Sequence, residues 1–245
     1  MAEIKNQKEK KEDYKIELDQ IIQAGLGFGH RTSRLHPKMQ SYIAKAKDTV
    51  HIIDLEKTAQ NLKEALKLIE KFILEGKTIL LVGTKPHLKS LVEETAKACG
   101  LPYVKERWIG GTFTNFEEIK KRIKYFKELE AKIKEEEFEK KYTKKERQNF
   151  LKELERLKIK FEGIKDMEKL PEAVFVADLK KEILSVKEAR KKGIKVIAIA
   201  DTDVDPTLAD YPIPANDDAI SSVKYILDKI KEVTKSAKSK AQSEK

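Results

Sequence analysis

The chain has 245 residues, enough for one substantial core with an appendage, and a hydrophobic content of 40% suffices to fill that core. Its charged fraction of 38%, against about 25% in an average domain, requires a segment solvated on most of its faces, and the net charge of +10 favours a polyanionic partner. The single cysteine, Cys99, excludes an internal disulfide framework and a Cys-rich zinc site, and no apolar run has the length of a membrane span or the core of a secretory signal, so the expected compartment is the cytoplasm.

Residues 1–12 and 234–245 are almost wholly polar, and both are expected to be disordered tails. Tyr14, Leu18 and Ile21/Ile22 recur at helical spacing and stop at Gly25, predicting a first helix. The stretch GLGFGHRTSRLHPKM follows. Its glycines, Gly25, Gly27 and Gly29, have the texture of a phosphate loop, but a dinucleotide site needs a strand before it and a helix after it. Here a helix precedes the glycines, and Arg31 to Pro37 opens none. Charge gives a better account. Between Asp19 and Asp48 lie 28 residues without an acid, carrying Arg31, Arg34, Lys38, Lys45 and Lys47, with His30 and His36 as further donors. Guanidinium groups pair with phosphate oxygens in bidentate fashion, and flanking glycines let backbone approach the same phosphates.

Asp54 is placed to cap a helix carrying Leu62, Leu66, Ile69 and Phe72/Ile73, closed by Gly76. The period then changes. TILLVG (78–83), LPYVKE, AVFVAD (173–178), KVIAIAD (195–201) and YPIPA (211–215) are short apolar runs separated by helical patterns, the last of which follows Asp217. Such alternation predicts an α/β domain with a doubly wound, five-stranded parallel sheet, formed by residues 13–116 and 166–233.

Residues 117–165 interrupt that domain with 17 Lys/Arg and 12 Glu, a narrow apolar stripe on each half, and capping-box patterns at Thr114-x-x-Glu117 and Thr143-x-x-Glu146. They predict an inserted antiparallel coiled-coil helical hairpin with arms of about 35 to 40 Å. Lys120, Lys121 and Arg122 form a basic cluster at its start.

Two alternative functions, one enzymatic and one regulatory, have weaker support in the sequence. IAIADTDVD resembles the first motif of haloacid dehalogenase-type phosphatases, which would make Asp201 a nucleophile and Asp203 an acid/base beside Mg²⁺. Only about forty residues remain for the other machinery, and a polar loop after a parallel strand is the simpler reading. A nucleotide-binding regulator using the crevice near Gly83 lacks a Gly-rich loop after TILLVG. His30, His36, His51 and His87 show no metal-ligand spacing.

Read in order, GFGHRTSRLHPKM, HIIDLEKT, LLVGTK, PYVKERWIGGTFTN, the charged hairpin, EGIKDMEKLPEAVFVAD, ADTDVDP and IPANDDAI resemble the bacterial type of small-subunit ribosomal protein two, from about Leu18 to Ile230. The resemblance implies a flavodoxin-like topology and a non-enzymatic role on the small ribosomal subunit. It also implies binding to ribosomal RNA and help in recruiting neighbouring proteins, among them the large RNA-binding protein one. It implies no cofactor, metal, membrane or small-molecule substrate. The matched positions are His30, Arg31, Arg34, Pro37, Lys38 and Met39, then Arg107, Trp108, Gly110, Gly111, Thr114 and Asn115. Gly27, Leu35, Pro86 and Asp203 depart from the family pattern. The expected RNA contacts are therefore His30, Arg31, Arg34, Lys38, Lys45, Lys47, Lys85, Arg107, Trp108, Asn115, Lys120, Lys121 and Arg122, with Trp108 equally suited to stacking on a base or to anchoring the hairpin base in the core.

Overall fold

The computed structural model describes residues 14, 16–135 and 138–243; the expected N-terminal tail, 1–12, lies outside the described residues. Its larger sheet holds β4 (Ile79–Val82), β5 (Tyr103–Val104), β6 (Ala173–Val176), β7 (Lys195–Ala200) and β8 (Tyr211–Pro214). All pairings are parallel, in the order β5-β4-β6-β7-β8. This is the flavodoxin-like order, with its switch point between β4 and β6.

Strand periodicity divides the core in two. Ile79, Leu81, Phe175, Ile197, Ile199 and Ile213 point to one face, while Leu80, Val82, Val174, Val176, Val196 and Ala198 point to the other. Helices α1 (Leu18–Gln23), α2 (Leu55–Leu74), α3 (Lys89–Cys99) and α8 (Ile220–Ser243) contribute to the first layer. Helix α7 (Ile183–Lys192), the hairpin root and Met39 contribute to the second. Each fully buried aliphatic or aromatic side chain stabilises the fold by about 1.5–3 kcal/mol. Strand β8 forms one edge, which suits Pro212 and Pro214. Their carbonyls accept hydrogen bonds from Asn61 Nδ2 and Thr58 Oγ1 of α2, so the edge is covered.

Asp54 caps α2 as expected, its Oδ1 accepting from the backbone N–H groups of Glu56 and Lys57. The C-terminal expectation needs correction. Helix α8 continues to Ser243, well past residue 233, because Thr234 and Ala237 are buried and Lys238 Nζ donates to the Cys99 carbonyl at 2.6 Å. Alanines and lysine stems within KSAKSKAQ supply the packing that its polar composition conceals.

The insertion comprises α4 (Phe116–Lys134), α5 (Phe138–Lys141) and α6 (Lys144–Phe161). With 19 and 18 residues, its two long helices span about 28 and 27 Å, shorter than the expected reach of about 35 to 40 Å. They run in opposite directions: Lys132 Nζ sits 4.5 Å from the Phe150 ring near the tip, and Lys165 Nζ sits 5.5 Å from the Phe126 ring near the root. The Thr143–Glu146 capping box forms. The one expected at Thr114 does not, because that hydroxyl donates to Glu188 and Asn115 occupies the cap position.

Sequence periodicity missed a second sheet. Strands β1 (Phe28–Arg31), β2 (Ile43–Lys47) and β3 (Val50–Ile53) pair antiparallel in the order β1-β3-β2, ahead of α2.

Candidate nucleic-acid interface

The acid-free segment builds this small sheet. A two-residue turn joins β2 to β3, with Asp48 at φ 49° and Thr49 at φ 67°, the backbone of a type I′ hairpin. Two bulges then set the faces. On β1, Phe28 pairs with Ile52 and Arg31 with Val50, so one extra residue keeps Phe28 and Arg31 on the same side. On β2, Ile43 pairs with the buried Ile53 while Lys45 pairs with Ile52 and Lys47 with Val50. Phe28, Arg31, Lys45, Lys47, Val50 and Ile52 consequently share the outward face, with Phe28 58% exposed. His51 and Ile53 point inward and are buried.

The glycines fit this sheet onto the main domain. At Gly29 a Cβ would lie 2.4 Å from Thr202 Cγ2, so only glycine permits the approach that lets His30 N–H donate to Thr202 Oγ1. Gly25, at φ +75°, closes α1. Farther on, His36 N–H donates to the Thr202 carbonyl and Met39 is fully buried, which pins the Pro37–Met39 turn to the domain.

Between the small sheet and the carboxyl ends of β7 and β8 opens a cleft of about 650 Å³, lined by residues that include Phe28, His30, Arg31, Arg34, Asp201 and Asp218. Within it His30 Nδ1 is 3.2 Å from Asp201, and Nε2 is 3.6 Å from Asp218 and 3.8 Å from Asp203. Its contact with the Asp201 carboxylate, opposed by burial and reinforced by the surrounding carboxylates, raises its pKa from 6.5 to about 9. His30 is thus an imidazolium that ties the small sheet to the parallel one.

Lys85 has a similar fate. It lies at the switch point, its side chain 13% exposed, with Nζ 2.9 Å from Asp178, 2.7 Å from Asp217 and 2.8 Å from Asp218. Burial works against its charge, but these carboxylates raise its pKa above the ordinary lysine value. Burial and the Asp178 charge push Asp217 up to about 7, against the pull of Lys85. The crevice in which this topology binds ligands is therefore filled by an internal ionic cluster.

The structure separates the remaining sequence-predicted contacts into two groups. Arg31, Arg34, Lys45, Lys47, Arg107 and Arg122 are exposed and form no salt bridge among the described residues. Asn115 is exposed at the start of α4. Lys120 and Lys121 lie 3.6 Å from Glu117 and 2.6 Å from Glu118, pairs of little strength at the surface. Lys38 Nζ is engaged by Asp205 at 2.6 Å and Thr207 at 3.0 Å, so it anchors a turn.

Trp108 resolves to the core: it is buried, packs edge-on against Phe113 at 4.8 Å, and donates Nε1–H to Glu188 Oε1 at 3.2 Å. Sequence reasoning missed Glu188. This carboxylate also accepts from the backbone N–H groups of Gly111, Phe113 and Thr114 and from the Thr114 hydroxyl, fixing the loop that roots α4. Burial would raise its pKa, but those donors outweigh burial and lower it. The only signal was an acid among Val186, Ala189 and other inward positions of α7.

The phosphatase alternative finds no support. Asp201 is buried against His30, and Lys180 Nζ holds Asp203 at 2.5 Å. Protein cations occupy the positions where that chemistry needs an open nucleophile and a metal. The parallel-sheet domain thus has its switch point filled by its own lysine, and on an added sheet and at the hairpin root it displays cations unpaired among the described residues.

The family model described as Ribosomal protein S2 matches residues 21–237. A protein of Coprothermobacter proteolyticus named "Small ribosomal subunit protein uS2" is 45% identical over 215 residues, 88% of this chain and 80% of the relative. Proteins of the same name from Dictyoglomus thermophilum and Fusobacterium nucleatum are each 47% identical, covering 88% and 86% of this chain and 87% and 85% of their own lengths. The chain belongs to the ribosomal protein S2 family, whose members are structural and non-enzymatic.

Proposed function

We propose that the chain is a structural component of the small ribosomal subunit in the cytoplasm, that it binds ribosomal RNA, and that it helps recruit neighbouring subunit proteins, including the large RNA-binding protein one. The observation that carries the RNA reading is the free cation set Arg31, Arg34, Lys45 and Lys47, exposed on and beside one small sheet in a stretch without competing acids. Arg107, Asn115, Lys120, Lys121 and Arg122 extend the cationic surface at the hairpin root. Phosphate contacts of this kind supply affinity through counterion release. The exposed Phe28, beside the half-buried Val50 and Ile52, gives the same face an apolar centre suited to a protein neighbour.

His30, Lys38, Lys85 and Trp108 act in this reading as supports that hold the surface in place. The variant R31Q/R34Q/K45Q/K47Q tests it. It should keep the wild-type melting temperature, yet in filter binding to purified small-subunit ribosomal RNA its log–log salt slope should be shallower by about three, at roughly 0.7 to 0.9 for each phosphate no longer neutralised. Unchanged affinity and slope would assign RNA binding to a different surface.

A further inference from the structure

A second cationic cleft lies away from the small sheet, between α7, the 110–114 loop and the turn at Leu208. It encloses about 740 Å³. Leu184, Lys187 and Lys191 line it at positions i, i+3 and i+7 of α7, which places them on one helix face. Leu184 is 47% exposed and Leu208 is half-buried, giving the cleft an apolar floor. Lys187, Arg190 and Lys191 are exposed and form no salt bridge among the described residues, although Arg190 Nη1 donates to the Thr207 carbonyl at 3.3 Å. Glu188 is the one carboxylate in the lining, and five donors from the Trp108–Thr114 loop already occupy it. Its hydrogen bonds fix the opposite wall, where Gly110 and Gly111 present backbone without side chains.

Basic residues in the last turn of a helix complement its dipole, which accounts for Arg190 and Lys191 in part. That explanation covers neither the exposed Leu184 nor the rigid glycine wall facing it. We infer that this cleft is a second RNA-binding site, in which Lys187, Arg190 and Lys191 hold backbone phosphates while a ribose or base face lies over Leu184 and Leu208. Free cations over an apolar floor, with the local acid saturated, match a polyanionic strand with flat apolar faces. This inference rests on the RNA-binding reading and adds to it a surface on the other side of the hairpin root loop.

Filter binding of the full-length chain to purified small-subunit ribosomal RNA, over a range of potassium chloride concentrations, tests it. K187Q/R190Q/K191Q should lose about tenfold in affinity near 0.15 M salt, with a slope shallower by about two. Should Arg190 prove necessary for folding, K187Q/K191Q leaves its bond to Thr207 intact and should show about two thirds of that slope change. In small subunits assembled with the wild-type chain, ultraviolet cross-linking should join RNA to the peptide containing residues 183–192. Wild-type RNA affinity in both variants, with weakened binding in R31Q/R34Q/K45Q/K47Q, would overturn the second site and leave the first standing. A cross-link from α7 to a protein would also overturn it. A wild-type chain without affinity for the RNA would sink both readings.

Discussion

His30 shows how one residue joins the small sheet to the parallel one. Its folded pKa of about 9 exceeds the ordinary 6.5, so the stability it contributes is fully present below about pH 6.5 and is lost as pH rises through 9. Asp217 is also raised, from 3.8 to about 7, and its contribution is present below 3.8 and gone once pH passes about 7. The interval from pH 7 to 9 therefore isolates the histidine. His30→Gln should melt at a temperature nearly independent of pH across that interval, while the wild type loses stability. Parallel melting curves for the two would refute the ion pair. Residues of this kind were the hardest to read from sequence. The acid-free window grouped Arg31, Arg34, Lys45 and Lys47 with Lys38, but only Lys38 has a carboxylate partner among the described residues, Asp205, 167 residues away. Lys85 likewise meets Asp217 across 132 positions, and Trp108 meets Glu188 across 80. A charge pattern along the chain carries no information about partners that distant.

Legibility among the elements depended on burial. The five parallel strands announced themselves because both faces are covered, leaving runs such as ILLV and AVFV without a polar interruption. Strands β1 to β3 are short, exposed on one side and broken by two bulges, so neither a continuous apolar run nor a clean alternation survives. Their turn is also disguised: Asp48–Thr49 takes the conformation that Asn–Gly would advertise. A β-branched residue at φ 67° is strained. Thr49→Gly should therefore stabilise the protein by about 1 kcal/mol, after allowing for the chain entropy of glycine. In a domain of this size the thermal midpoint should rise by about 2–4 °C. A lower midpoint would mean that the Thr49 side chain makes a compensating interaction. The long helices α4 and α6 were legible from charge and spacing, but Thr114 misled because Glu188, a residue of another helix, claims its hydroxyl.

At the scale of the molecule, a fold that elsewhere binds small ligands at its switch point has turned that crevice into a structural ionic cluster. The surfaces proposed to bind RNA lie on the small basic sheet, at the hairpin root and along α7. Fold membership was legible from many ordered motifs, and the positions of free charge required the structure. We propose that the chain reaches the small ribosomal subunit through the cations of its small sheet. Sucrose-gradient sedimentation of lysates expressing the tagged wild type or R31Q/R34Q/K45Q/K47Q tests this most directly. The wild type should travel with small subunits, and the variant, although folded, should stay largely at the top of the gradient. Equal incorporation of the two chains would contradict it.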